Sequence, residues 1–356
     1  MTDPYLELAE LALAGTAPSL EQARWIVEGE DVQLLPLLNA AMQVREKHFG
    51  REVMVHVLNN VQNGLCPEDC GYCSQNKDSD APIRKYAMKS DEEIFDEAEK
   101  AARAGASRYC MVLSGRGPTI ERTKKFAKLI KEIKSRHPVE VCLSAGLMGD
   151  EHAKILAEAG LDRLNHNLNT SEERYGEICT THTYADRVAT LEAARNNGIG
   201  TCSGLIVGMG EGTDDLVEVA FKLRELQVPS IPVNFLIPIE GNRVLEDGSL
   251  TPTYCLRVLS LMRFVNPTAE IRIAGGREGN LRTMQPLGLY PANSLFVEGY
   301  LTTRGDDANA TYNMIADAGF TVSGNSDYDG PTPETGEFRL PGPLGDLLKP
   351  EISARS

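Results

Sequence analysis

Apolar positions in the first 48 residues recur at helical intervals, as in Leu6, Leu8, Leu11 and Leu13 and again in Leu34, Leu37, Leu38 and Met42, with acidic residues between the runs. Apolar groups three or four residues apart share one face of a helix, so residues 1–48 are predicted to form a helical extension. From Val53 the pattern changes to short β-rich runs separated by longer amphipathic stretches. The runs fall at 53–58, 108–113, 139–143, 163–168, 201–206, 231–236, 271–274 and 294–297. Such alternation marks repeated βα units around a parallel sheet. Ala104-Gly105, Ala159-Gly160, Asn197-Gly198 and Ala318-Gly319 each stand where a helix must close before the next strand, and glycine accepts the left-handed conformation that closes it. Ser90 and Glu93 have the spacing of a capping box at the start of the first of these helices.

Eight runs predict a (β/α)8 TIM-type barrel over residues 49–323, a fold that commonly uses about 250 residues. An open or six-stranded barrel fits a slightly smaller count. Beyond Ser323 the chain turns to Gly324-Asn325-Ser326-Asp327 and to Pro331, Pro333, Pro341, Pro343 and Pro350, with few bulky apolar groups, so 324–356 is expected to be a mobile, flexible tail.

Composition narrows the partners. The 356 residues are 42% hydrophobic and 24% charged, an ordinary globular balance. A net charge of -15 repels phosphate backbones and argues against nucleic acid. Met1-Thr2-Asp3-Pro4-Tyr5-Leu6-Glu7 lacks the basic start and apolar core of a secretion signal, and no apolar run is long enough to span a bilayer. The expectation is a cytoplasmic protein with a small-molecule partner. In that reducing compartment the eight cysteines are metal ligands, catalytic groups or buried thiols rather than a disulfide framework.

Three of them form the strongest local signal: Cys66-Pro67-Glu68-Asp69-Cys70-Gly71-Tyr72-Cys73, directly after the first predicted strand. Three thiolates in one loop can hold a four-iron cubane and leave one iron open for another ligand. A structural zinc site with a distant fourth ligand fits the same spacing, although no fourth Cys or His is close in sequence. The loop resembles the signature of the radical S-adenosylmethionine superfamily, in which the open iron chelates that cofactor and an electron cleaves it to a 5'-deoxyadenosyl radical.

A second set lies on predicted strands: Cys110, Cys142, Cys202 and Arg272. If those strands close into a barrel with these side chains inward, residues far apart in sequence meet at one interior site. Three thiolates and a guanidinium could hold a second cluster. Each alone also reads blandly, Cys as a small buried hydrophobe and Arg272 as the partner of an interior carboxylate. Cys179 and Cys255, near or within predicted helices, keep that bland reading.

Over residues 53–321 the sequence resembles the biotin synthase family. The matching stretches are Asn63-Gly64-Leu65 through Cys73-Ser74-Gln75, Arg108-Tyr109-Cys110, Asn165-His166-Asn167-Leu168, Cys202-Ser203-Gly204-Leu205-Ile206-Val207-Gly208, Ala274-Gly275-Gly276-Arg277-Glu278 and Ala292-Asn293-Ser294-Leu295. The resemblance implies radical insertion of sulfur into dethiobiotin. It implies that Cys66, Cys70 and Cys73 bind a 4Fe-4S cluster and that Cys110, Cys142, Cys202 and Arg272 bind the 2Fe-2S sulfur donor, with Cys66, Cys70, Cys73 and Arg272 counted as catalytic. Arg187 would pair with the methionyl carboxylate of S-adenosylmethionine, with Tyr72, Asn167 and Asn169 beside that cofactor. Asn167 and Asn234 would bond the ureido ring of dethiobiotin, and Thr302 and Thr303 would receive its carboxylate. A neutral amide offers both a donor and an acceptor, which suits a cyclic urea. A homodimer and a reducing electron-transfer protein are implied as well.

The chain departs from the pattern in places. Asn169 stands where many relatives have Asp, and His182 where Arg is frequent; His182 receives no role. His166 reads as a packed or hydrogen-bonding side chain rather than a ligand. Gly208-Met209-Gly210-Glu211-Gly212 superficially matches a nucleotide loop but lacks G-x-G-x-x-G spacing, and it is expected to be a strand-to-helix turn lining the cofactor site. Two rival readings are another barrel of the same superfamily that performs no sulfur insertion, and a non-catalytic iron-sulfur or zinc protein.

Overall fold

The computed structural model describes residues 3–244, 250–297, 299–301, 305–306 and 308–323. Thr302, Thr303 and the segment 324–356 lie outside the described residues. Among the described residues ten strands form one parallel sheet: β1 Glu52–Gln62, β2 Arg108–Leu113, β3 Glu140–Ser144, β4 Arg163–Asn165, β5 Gly200–Cys202, β6 Leu205–Val207, β7 Ser230–Phe235, β8 Glu270–Ile273, β9 Ser294–Phe296 and β10 Thr321–Ser323. The sheet closes where β9 returns to β1, with Met54 opposite Ser294 and His56 opposite Phe296. The result is an eight-stave parallel barrel in which β5 and β6 share one stave and β10 adds to β1 beside the closure.

The predicted strand 201–206 is divided because its neighbour interrupts the ladder. Cys202 pairs with Ser230 and Leu205 with Val233, and between them lies Pro232, which has no N–H to give. Gly204 fills the gap, where a Cβ would stand 1.8 Å from the Pro232 carbonyl oxygen. Only glycine admits that approach of two backbones.

Local signals elsewhere act as the sequence predicts. Ser90 Oγ accepts from Glu93 N at 3.2 Å and Glu93 Oε2 accepts from Ser90 N at 2.8 Å, capping the helix Asp91–Arg103. Gly105, Gly160, Gly198 and Gly319 all adopt positive φ after their helices.

The helical extension comprises Pro4–Leu13, Leu20–Glu28 and Leu34–Phe49. All three pack on the helix Pro252–Val265, which is buried on nearly every side because it lies between them and the barrel. Fully buried Arg45 ties the extension to the barrel floor, donating to the carbonyls of Gly50, of Glu52 at 2.6 Å and of Ala292 at 3.3 Å. No described helix is long and apolar enough to cross a membrane.

Candidate active site

Side chains two apart on a strand share a face, and in this barrel that rule stacks the interior in layers. Near the N-terminal ends of the strands sit Arg108, Glu270 and His56, all buried. The next inward positions carry Cys110, Arg272 and Leu58. Glu270 is the hub of the lower layer. It accepts from Arg108 Nη1 at 3.0 Å, from Arg272 Nε at 3.1 Å and Nη2, and from Ser294 Oγ at 2.8 Å. Burial pushes its carboxyl pKa up, but the two guanidiniums outweigh burial and hold it well below the usual carboxylate range. His56 Nε2 lies 3.0 Å from Glu270 Oε1 but off hydrogen-bond alignment, so both ring nitrogens of this buried imidazole lack a partner. Burial, helped by Arg272, pushes its pKa down to about 3.

Above that layer Cys110 and Cys142 face one another across β2 and β3. Cys202 joins them, and these thiols with Ala274 and Phe296 form a small cluster separate from the main core. The neighbouring Cys142 thiol holds Cys110 below its ordinary thiol pKa and raises that of Cys202. Arg272 reaches this cluster with Nη1, 3.6 Å from Cys202 Sγ, and its guanidinium lies 5.1 Å from the centre of the Phe296 ring. Arg272 thus pairs with an interior carboxylate and also faces the thiols.

Cys66, Cys70 and Cys73 stand in the loop after β1, at the C-terminal mouth where TIM-type barrels carry their chemistry. Asn76 Nδ2 donates to the Cys70 and Cys73 carbonyls, each at 2.8 Å, and fixes the loop's turn. Asp69 fastens it to the segment 179–181, accepting from Thr180 N at 2.9 Å and Thr181 N at 3.2 Å. A cavity of about 290 Å³ is lined by all three loop cysteines and also by Cys110, Cys142 and Arg272. The loop thiols and two of the three inner thiols thus open onto the same space, while Cys202 is not in its wall.

The proposed cofactor contacts converge there too. Tyr72 Oη accepts from Asn169 Nδ2 at 2.6 Å. Asn169 holds φ at 73°, a left-handed backbone that Asn tolerates better than most residues. Buried Arg187 donates through Nη1 to the Asn167 carbonyl at 2.7 Å and through Nε to Tyr175 Oη. Burial alone would lower its pKa, and the neighbouring Tyr72 and Tyr175 reverse that shift. Asn167 Oδ1 is taken by Gly204 N and by Asn165 Nδ2, both at 3.2 Å, which favours its Nδ2 as the group offered to a ligand. Asn234 clamps Leu205 O and Gly275 N, at 3.1 and 3.0 Å, and keeps one N–H and one lone pair in reserve.

Several residues escaped the sequence reading. His182 lines the cavity; its Nε2 accepts from Arg187 Nη2 at 2.9 Å, and its Nδ1 meets Glu68 Oε2 at 2.6 Å. Because a guanidinium can only donate, the ring proton belongs on Nδ1. Cys179 is not an isolated buried thiol. Its Sγ is 3.7 Å from Cys70 Sγ and 3.3 Å from His182 Nδ1, although Cys179 takes no part in the cavity wall. Cys70, Cys179 and His182 lie close enough together to hold a metal ion by distance, and they are linked by hydrogen bonds. Cys255 is buried on the helix Pro252–Val265. His166 packs with Nε2 unpartnered. Glu211 accepts from Gly208 N and Met209 N at 2.6 and 2.7 Å, so the 208–212 turn is closed by its own carboxylate, and it does not reach the cavity wall. Glu270 did carry a signal, since an acid two residues before Arg272 in an apolar strand must share its face.

Comparison with known proteins adds the following. The Radical SAM superfamily model matches residues 62–223, and that of the Biotin and Thiamin Synthesis associated domain matches 232–321. A biotin synthase of Acaryochloris marina is 58% identical over 315 residues, 88% of this chain and 91% of the relative. One of Magnetococcus marinus is also 58% identical over 315 residues, covering 88% and 98%. Among solved structures, methylornithine synthase superposes with a TM-score of 0.77 at 19% identity, over 89% of this chain and 97% of that one. The FeFe-hydrogenase maturase of Carboxydothermus hydrogenoformans gives 0.74 at 18%, over 91% and 80%. At such identities these two speak for the barrel alone.

Proposed function

The chain belongs to the biotin synthase family of the radical SAM superfamily, and on that premise we propose how its own residues carry sulfur insertion into dethiobiotin. One observation carries the proposal: a single cavity is walled by the loop thiols Cys66, Cys70 and Cys73 and by the inner set Cys110, Cys142 and Arg272.

The residues fit the groups in question. Three loop thiols face the cavity while Cys179, beside Cys70, stays out of its wall, as a four-iron cluster with one open iron requires. The inner thiols and the Nη1 edge of Arg272 form a compact donor set of the kind that suits a 2Fe-2S cluster. When bound, the outer cluster with S-adenosylmethionine supplies a carbon radical, and the inner cluster supplies sulfide.

The protein's share is to bind, orient and shield. Arg187, braced by the Asn167 carbonyl and Tyr175, presents a fixed cation to the methionyl carboxylate. Tyr72 and Asn169 hold each other beside it. The Asn167 amide donates to the ureido oxygen, while Asn234 offers its remaining donor and acceptor to the same ring. Phe296 and Tyr300 line the cavity with aromatic surface that excludes water and competing hydrogen donors. Thr302 and Thr303 are assigned the substrate carboxylate on sequence resemblance. We also infer a cytoplasmic homodimer served by a reducing electron-transfer protein, on family likeness and composition.

Anaerobic incubation of the loaded chain with dethiobiotin, S-adenosylmethionine and reductant tests this reading. Biotin and 5'-deoxyadenosine are expected together. Deoxyadenosine without biotin, from protein carrying both clusters, would reject sulfur insertion and leave the radical chemistry standing.

A further inference from the structure

We propose that Glu270 is a positioning residue that selects which nitrogen of Arg272 meets the inner thiols. A guanidinium has three nitrogens and could present any edge to the site. Here Nε donates to Glu270 Oε1 at 3.1 Å, and Nη2 donates to the same carboxylate and to Ser230 Oγ at 2.8 Å. Those two nitrogens are committed to the barrel floor. Nη1 is left pointing at Cys202 Sγ, 3.6 Å away.

The carboxylate is itself held from other sides. Arg108 Nη1 contacts both of its oxygens at 3.4 and 3.0 Å, and Ser294 Oγ donates at 2.8 Å. Arg108 is anchored in turn by Glu140, which accepts from its Nε at 2.9 Å and its Nη2 at 2.7 Å. The register brings these groups within reach of one another: Glu270 lies opposite Ser230 and Arg272 opposite Ser294 on adjacent strands. Removing the Glu270 charge leaves two buried guanidiniums facing each other with one shared anion gone. Arg272 then keeps at most a neutral amide acceptor for Nε and Nη2 and loses the charge that holds Nη1 forward, because an arginine fork is oriented by the carboxylate it meets.

The inference rests on the reading of Arg272 as a ligand of the inner cluster, and its test separates the two. The full chain is produced with arginine carrying 15N in the guanidinium, loaded anaerobically with iron and sulfide, and reduced; pulsed EPR of the inner cluster then reads nitrogen coupling. The parent is expected to show one well-defined 15N coupling that Arg272→Met abolishes. Glu270→Gln is expected to lose or disperse that coupling, while the outer cluster's EPR response to S-adenosylmethionine stays as in the parent. Glu270→Asp should restore part of it. An undisturbed coupling in Glu270→Gln overturns the inference while the ligand reading stands. No arginine coupling in the parent overturns the ligand reading and the inference with it. Should Glu270→Gln fail to fold, Ser294→Ala removes one brace from the carboxylate without stranding a charge; a smaller broadening of the coupling supports the inference, and an unchanged spectrum overturns it.

Discussion

Replacing His182 with Ala should weaken S-adenosylmethionine binding without costing iron. His182 is buried, and it joins the Cys66–Cys73 loop to Arg187 by accepting from Arg187 Nη2 at 2.9 Å while its Nδ1 meets Glu68 at 2.6 Å. Glu68 keeps Arg116 at 3.2 Å and Thr181 at 2.6 Å, so the loop retains its anchors. Arg187 keeps the Asn167 carbonyl and Tyr175 but loses the acceptor that orients Nη2. A hydrogen bond with an ionised partner contributes about 1.5–3 kcal/mol. If that is spent on freeing the guanidinium, binding weakens by about 10- to 100-fold, since about 1.4 kcal/mol is tenfold in affinity. Equilibrium dialysis of the anaerobically loaded chain with labelled cofactor reads the affinity, and iron analysis of the same sample checks the loop. His182→Gln, whose amide oxygen can accept from Arg187, should recover part of the loss. Affinity within twofold of the parent in His182→Ala, with iron intact, would refute the coupling.

Cys179→Ala should retain the iron of the outer loop and its response to S-adenosylmethionine, whereas Cys70→Ala should lose both; Mössbauer spectra distinguish the two, and loss of the cluster in Cys179→Ala would make that thiol a ligand. Gly204→Ala should lower thermal stability by about 3 kcal/mol, at the upper end of overpacking costs, because its Cβ meets the Pro232 carbonyl at 1.8 Å; a melting temperature equal to the parent's would show that β5 and β7 can part. Arg45→Met strips a donor from the buried Ala292 carbonyl and from the part-buried carbonyls of Gly50 and Glu52, which water can reach, and should cost roughly 1–3 kcal/mol, the penalty of one buried group left unsatisfied; denaturant titration measures it, and an unchanged midpoint would show that Arg45 does not hold the extension to the barrel.

Much of the fold was legible because it is written in short-range terms. Strand periodicity marked all eight staves, and glycines and the Ser90 cap marked helix ends. The division at Gly204 was hidden, since it depends on Pro232 in a neighbouring strand. β10 was announced only by the Ala318-Gly319 helix stop and was not among the counted runs, because its three residues gain a partner only when β1 is present. The inner thiols could be placed together because a barrel forces alternate strand residues inward. Cys179 could not: it meets Cys70 from 109 residues away, through a loop with no period to read. His182 was recognised as a departure but acquired a purpose only when Arg187 and Glu68 appeared on either side of it. The amides of Asn167 and Asn234 show a further limit, because type and position suggested free hydrogen-bonding capacity that the backbone partly consumes.

The account turns on sulfur leaving the inner site of the shared cavity for the substrate. The direct measurement is a single turnover by protein whose clusters were built with 34S-sulfide, freed of excess sulfide and given dethiobiotin, S-adenosylmethionine and reductant, with the product weighed by mass spectrometry. Biotin carrying the heavy isotope is the predicted result, and its yield should fall when Cys110, Cys142 or Cys202 is replaced by Ala. Biotin of natural sulfur mass from the labelled protein would contradict it.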